Sequence, residues 1–485
     1  MNEKMINYDE YESVIGLEVH VELNTKSKIF CGCSASFGGA PNTRTCPVCS
    51  GMPGTLPVLN RKVLEYAIRV GLAMHCEISR ISYFDRKNYF YPDNPQNYQI
   101  SQLYMPICTN GYVEIESPKQ KKIGIHEIHM EEDAGKLFHD EETGNTLVDF
   151  NRAGVPLIEI VSEPDMRSAE EVIAYLDKLR MLVRYLGVSD CKLQEGSMRA
   201  DVNLSVRKKG AVALGTRTEM KNLNSFSAVK AAVEAETKRQ IALLEAGAEV
   251  AQETRRWDEN KMQSYCMRSK DDAMDYRYFP EPDLLPVEVS DACIEEYKAQ
   301  MPEFREEKRK RFAREYDIPE YDIKLLTESK NMADLFEDTA AICKKPKEVS
   351  NWLMGEGMRL LKEREMSAEE LTLSANDLAE LIRLVSLGEI NRTVAKEVFE
   401  AMFLHDAKPA EYIAEKGLKQ ENDAGVLEAV AAEVLAANEG PVSDYLGGKE
   451  RALGFLVGQV MKHMGGKANP EMVRKILLQK LSVKK

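Results

Sequence analysis

An α+β fold is predicted, and three observations predict it. Up to about residue 290, short runs of alternating polar and apolar residues are separated by Gly, Pro and Asn, the spacing of strands and turns. Beyond it, long charged segments carry helical periodicity. One amphipathic stretch, at roughly Ser168 to Leu186, interrupts the strand-rich part, so strands and helix share a domain. The expected architecture is an N-terminal cradle built on an antiparallel β-sheet with helices, followed by an all-α remainder.

In chain order, SVIGLEVHVEL sends Ile15, Leu17, Val19, Val21 and Leu23 to one side of a strand and Glu18, His20 and Glu22 to the other. The 168–186 helix repeats Val172, Leu176, Leu179 and Val183 behind Ser168 as its N-cap. RADVNLSVR alternates again, Val202, Leu204 and Val206 against Arg199, Asp201, Asn203 and Arg207. Downstream, FREEKRKRFAREY and VLEAVAAEVLAAN have the charge pattern of surface helices. The last helix starts at Asn469, with Pro470 in its first turn and Val473, Ile476 and Leu477 as its apolar stripe.

The chain has 485 residues, 44% of them apolar and 30% charged, too long for one ordinary core. Its N-terminal MNEKMINYDEYES has no apolar leader, and no run is long enough to span a bilayer, so a cytosolic location is expected. A formal charge of −14 argues against a broad electrostatic grip on nucleic acid. The local exception is 441–485, where nine Lys and Arg face three acids, a net charge of +6.

Four of the ten cysteines are clustered: Cys31 and Cys33, then Cys46 and Cys49, among Gly, Asn, Thr and Pro. Four thiolates brought together by two tight turns suit tetrahedral Zn²⁺, and a four-thiolate site is coordinatively closed, hence structural. Unrelated buried thiols and an iron–sulfur cluster are the competing readings. A second constellation is rich in carboxylates: Glu18, His20 and Glu22; Glu131, Glu132 and Asp133; Glu195, Asp201 and Asn203. Hard oxygen donors with one imidazole suit Mg²⁺ held together with substrate phosphates, against the bland alternative of solvated strand faces. In DRKNYFYPDNPQNYQISQ, Arg86 and Lys87 precede amides and aromatics that would hold phosphate, ribose, base or a tRNA end, or simply pack a loop. RTEMKNLNSF adds Lys221, Asn222 and Asn224 as candidate ligand contacts, with an ordinary structured turn as the competing reading.

Absences narrow the chemistry. No phosphate-binding G-x-x-x-x-G-K-[ST] occurs, GAVALGT at 210–216 lacking the lysine. His126 and His129 are too close for a H-E-x-x-H metalloprotease, and no Ser or Cys has an evident base beside it, so hydrolysis lacks a nucleophile.

Taken together, VIGLEVHVELNTKSKIF, TCPVCSGMPGTLPVLN, DRKNYFYPDNPQNYQISQ, MEEDAGK, DFNRAGVPLIEIVSEPD, LQEGSMRADVNLSVR, RTEMKNLNSF and YRYFPEPDLLP resemble the B-subunit family of the tRNA-dependent amidotransferases. The motifs run in order from about Val14 to Pro286, and the helical remainder resembles the family's helical linker and YqeY-like tail. The resemblance implies a cradle at 1–292, a helical domain at 293–410 and a tRNA-binding tail at 411–485. It implies ATP-dependent phosphorylation of the side-chain carboxylate of Glu-tRNA(Gln) or Asp-tRNA(Asn), then amidation by ammonia. The A component, a glutamine-hydrolysing amidase, would release that ammonia from glutamine or asparagine, and a small C component would strap the heterotrimer together. Carried over residue by residue, Glu18, His20, Glu132 and Glu195 are the catalytic Mg²⁺ ligands, with Glu131 the alternative to Glu132 because a one-residue shift reverses a strand's face. Lys87, Asn88, Asp201 and Asn203 are expected at the nucleotide, and Cys31, Cys33, Cys46 and Cys49 at Zn²⁺. The rival from another class is a non-catalytic, zinc-containing tRNA-binding scaffold, which would have no need to gather carboxylates against phosphate.

Overall fold

A computed structural model describes residues 7–140, 142–193, 195–269, 275–420, 423–465 and 468–482. Residues 1–6 of the N-terminal segment and Lys467, Lys484 and Lys485 of the basic tail lie outside them. The chain forms two compact units, the first ending at Phe304 and the second beginning at Arg305. No helix of the described residues is long and apolar enough to cross a membrane.

The first unit has sixteen strands among its described residues: β1 (Tyr11–Glu22), β2 (Glu77–Ile78), β3 (Ile81–Ser82), β4 (Asp85–Asn88), β5 (Tyr98–Ser101), β6 (Cys108–Ile115), β7 (Lys121–Glu132), β8 (Lys136–Asp140), β9 (Asn145–Asp149), β10 (Pro156–Ser162), β11 (Met198–Lys208), β12 (Thr218–Lys221), β13 (Glu253–Asp258), β14 (Gln263–Ser269), β15 (Phe279–Pro280) and β16 (Val287–Glu288). Its helices are α1 (Arg61–Ala73), α2 (Ala169–Tyr185), α3 (Phe226–Glu245) and α4 (Asp291–Ala299). Nine strands form one sheet in the order β14-β13-β12-β11-β1-β10-β7-β6-β2. The sheet is mixed rather than purely antiparallel, because β12 and β13 run parallel. The chain between them folds into α3, and a parallel pair needs such a crossover.

One face of the sheet is apolar. Leu17, Val19, Val21, Ile128, Met130, Ile158, Ile160, Val202 and Leu204 are buried in a core with Ile68 of α1, Leu176 and Leu179 of α2 and Val229 of α3. Ser168 caps α2 by accepting from Glu171 N–H, and Ser225 does the same for α3 from Ala228 N–H. The helices therefore cover the apolar side and leave the polar side of the central strands for chemistry. A small sheet, β15-β4-β5, is a separate three-stranded element of the same unit.

The second unit is helical throughout its described elements and holds two separate apolar clusters. In one, Trp352 stacks on Phe399 with ring centroids 5.5 Å apart. In the other, Val473, Ile476 and Leu477 of the last helix are buried, and Asn469 caps that helix by accepting from Glu471 and Met472 N–H.

Candidate functional site

Pairing register assembles the polar face. In adjacent strands Arg199, His20, Glu159 and His129 are successive cross-strand partners, so four polar residues line up side by side. His20 Nε2 is 3.3 Å from Glu159 Oε2 and 3.5 Å from Glu131 Oε1. His129 Nε2 lies 3.2 Å from the same Glu159 oxygen, and its Nδ1 is 3.2 Å from Glu127. The Ser101 hydroxyl of β5 donates to Glu131 at 3.4 Å. Ligand atoms of His20, Glu131 and Glu159 all lie within 4.8 Å of one another.

The electrostatics are those of a charged cluster held out of water. Burial is the largest influence and disfavours the charged imidazoles, but the surrounding carboxylates, Glu159 foremost with Glu131 and, for His129, Glu127, together outweigh it, raising His20 and raising His129 well above the ordinary histidine range. Burial likewise opposes the Glu159 anion, yet the two imidazoles hold its carboxyl well below the usual range. One cation can take over the role of the imidazole protons here, with nitrogen and carboxylate donors already placed.

Beside this row, Glu18, Asp201 and Glu219 bring carboxylate oxygens within 4.8 Å of one another. This second group already has a cation: Lys221 Nζ is 2.5 Å from Asp201 and 2.8 Å from Glu219. Burial works against that ammonium, and the two carboxylates more than reverse it, raising its pKa. Asn203 donates to Glu18 Oε1 at 2.9 Å, while burial, and then Glu159, push the Glu18 carboxyl up. Lys87 of β4 is half-buried; loss of hydration disfavours its charge, yet Glu131 leads the groups that raise it, and its Nζ sits 4.9 Å over the Tyr276 ring.

The expected four-residue set is not assembled as such. Of the two adjacent acids, Glu131 stands with His20. Glu132 accepts from Ile100 N–H at 3.0 Å and lines a cavity of about 220 Å³ with Lys28, Cys49, Gln96 and Tyr98. Strand alternation is the reason, since neighbours in β7 project to opposite sides. Burial pushes the Glu132 carboxyl up to about 8, with the Ile100 N–H bond opposing and Glu281 adding to the shift. Glu195 occupies a turn before β11, where Lys192 Nζ meets it at 3.0 Å, and it belongs to neither ligand group. Asn88 donates to Arg277 O at 2.8 Å and so ties β4 to the 276–277 segment. Asp201 and Asn203 do join Glu18. Sequence reading passed over Glu159 and His129. Their signal was present: Glu159 is the lone charge in PLIEIVS, and it shares strand parity with the row once β10 is paired to β1.

The cysteine loop is compact. Cys49 Sγ lies 3.9 Å from Cys46 Sγ and 4.0 Å from Cys33 Sγ, and all four sulfurs fall within 4.8 Å. A tetrahedron with metal–sulfur bonds of about 2.3 Å has edges of about 3.8 Å, so the four donors fit a closed metal site. Cys46 N–H donates to Cys49 Sγ at 3.2 Å. The Cys31 hydrogen bond is the first cause that brings the Cys49 thiol down to about 4, while burial leads in raising Cys33 to about 11.

Residues 13–295 match the model of the GatB/GatE catalytic domain, and residues 334–481 match that of the GatB domain. The chain is 64% identical over 472 residues to the aspartyl/glutamyl-tRNA(Asn/Gln) amidotransferase B subunit of Agathobacter rectalis, covering 97% of this chain and 99% of that protein. The same-named proteins of Lachnospira eligens and Thermoanaerobacter sp. are 62% and 56% identical, again over 97% of this chain and 99% of theirs.

Proposed function

This chain belongs to the family of aspartyl/glutamyl-tRNA(Asn/Gln) amidotransferase B subunits, and from that premise we propose that its polar sheet face activates the side-chain carboxylate of Glu or Asp esterified to tRNA. The chain is an amidotransferase subunit of the translation machinery. In the proposed reaction the substrate carboxylate oxygen attacks the γ-phosphorus of ATP, the bond to the β-phosphate oxygen breaks and ADP leaves. Ammonia then attacks the acyl carbon and phosphate departs with the bonding pair. A carboxylate resists amination until its oxygen becomes a good leaving group, which is why ATP is needed.

The observation that carries this reading is the gathering of His20, Glu131, Glu159 and His129 on one face of the sheet, with Lys221 of the same sheet beside them and the charge of Lys87, on β4 of the small sheet, felt by Glu131 and Glu159. His20, Glu131 and Glu159 would hold Mg²⁺, which when bound neutralises charge on the transferring phosphoryl group. Lys87 is the cation placed to meet phosphate oxygens from the β4 side. Asp201 and Asn203 fix Glu18 and Lys221 and so shape the floor on which nucleotide rests. Zn²⁺ would be held by Cys31, Cys33, Cys46 and Cys49 as a structural ion. Ammonia would come from the amidase partner of a heterotrimer that a third, small partner straps together. Residues 1–292 would serve as cradle, 293–410 as helical linker and 411–485 as the tRNA-binding tail, all in the cytosol.

The test is to purify the chain with its expected partner subunits and supply ATP, Mg²⁺, glutamine and misacylated Glu-tRNA, following ADP and Gln-tRNA. His20→Ala and Glu159→Gln should abolish both products while tRNA binding and glutaminase activity persist. Wild-type amidation by these variants would refute the site and favour the scaffold role.

A further inference from the structure

Lys28 follows the β1 strand and is fully buried. Among the described residues its ammonium makes no ion pair with a carboxylate. Its Nζ instead donates to Cys49 Sγ at 3.4 Å and to the Phe150 carbonyl at 3.2 Å. A buried cation needs an anion nearby, because neither water nor a distant charge compensates its lost hydration. The anion at hand is the thiolate cluster.

The charge balance runs in the same direction. Four thiolates around one divalent ion carry a formal charge of −2, and Cys49 is the buried member of the set. An N–H donor to that sulfur draws off charge, and Lys28 is held in place for it from two sides. Phe150 takes a second ammonium proton, and Gly154, at φ +82°, runs its backbone so close that an ideal Cβ there would lie 3.5 Å from both Cys49 Cβ and Lys28 Cδ.

We propose that Lys28 is the built-in counter-ion of the four-cysteine metal centre, a positioning residue that donates to the Cys49 sulfur and slows loss of the metal. The inference rests on reading the four cysteines as a zinc site, and it adds a cation from outside the ligand set that the cysteine spacing does not reveal. Outer-shell hydrogen bonds to metal ligands set affinity as well as geometry.

The experiment uses the full-length chain, co-purified with its partner subunits, as wild type, Lys28→Met, Lys28→Arg and Lys28→Gln. Zinc content is measured by mass spectrometry, release by a chromophoric chelator, and the ligand field by Co²⁺ substitution. Wild type should carry zinc, and Lys28→Met should release it about tenfold faster or more. Lys28→Arg should restore slow release, and the cobalt charge-transfer band should move to longer wavelength in Lys28→Met as the sulfur loses its donor. A merely packed lysine would move neither release nor band at equal helicity and melting temperature, and that result overturns the proposal while leaving the zinc site intact. Should Lys28→Met not fold, Lys28→Gln keeps the polarity without the charge, and wild-type release from it is equally fatal. Wild type that binds neither zinc nor cobalt overturns both readings.

Discussion

Glu131 and Glu132, consecutive in β7, serve opposite sides of that strand: Glu131 Oε1 faces His20 Nε2 at 3.5 Å, and Glu132 Oε1 takes the Ile100 N–H at 3.0 Å. Two neighbouring acids therefore predict two different phenotypes. Glu131→Gln should weaken Mn²⁺ binding, followed by electron paramagnetic resonance, about 10- to 100-fold and suppress ADP formation in step. Glu132→Gln should leave Mn²⁺ affinity at the wild-type level. Equal losses from both would show that the two side chains share one site.

The raised Glu132 carboxyl gives a pH signature. Its ordinary value is 4.5 and burial lifts it to about 8, so near neutrality the folded chain holds a proton that the unfolded chain has released. Its contribution to stability is full below the unfolded value and is lost as pH rises through about 8. Urea midpoints of wild type minus Glu132→Gln should fall between pH 5 and pH 8.5. A flat difference would mean the group is ionised throughout.

Lys221 pairs with both Asp201 and Glu219 next to Glu18. Lys221→Met should cost about 1–2 kcal/mol in denaturant titrations, discounted because the lysine is about a third exposed. Millimolar Mg²⁺ should recover part of that loss, since three carboxylate oxygens within 4.8 Å would then lack a cation. Loss without Mg²⁺ recovery would identify a purely structural pair.

In the second unit, Phe399→Ala removes a buried ring stacked on Trp352. A loss of about 3–5 kcal/mol is expected for the transition that reports this unit. Zinc content of the first unit should be unchanged.

Arg474 and Lys475 are exposed on the last helix. Replacing both by Ala should weaken tRNA binding and reduce the slope of log affinity against log salt by about 1–2, measured by filter binding. An unchanged slope would remove the tail from the RNA interface.

The strand β1 was legible because its two faces differ in every second residue, and α2 because its cap and its apolar stripe agree. The cysteine loop was legible because its spacing is local. The ligand row was only half legible. His20 announces itself on an alternating strand, but whether Glu131 or Glu132 meets it depends on the register of β7 against β10, far along the chain from β1. Glu159 was missed because, although it is the lone charge in PLIEIVS, nothing local says which strand pairs with β10 and so brings that acid beside His20. Lys221 was legible as a ligand candidate but not as a strand residue, because a four-residue strand is too short to show a period. The parallel β12–β13 pair escaped for a related reason: its direction is set by α3, not by either strand.

The placement of β1 also bears on how the chain is made. This strand leaves the ribosome well before its hydrogen-bonding partners, β10 and β11, at residues 156–162 and 198–208. At about 5–20 residues per second of synthesis, an apolar strand waits on the order of 10–30 s for its first edge to be capped and on the order of 10–40 s for the second. Through that interval the newborn chain offers Ile15, Leu17, Val19 and Val21 to any passing strand, so β1 is the segment a holding chaperone would have to shield.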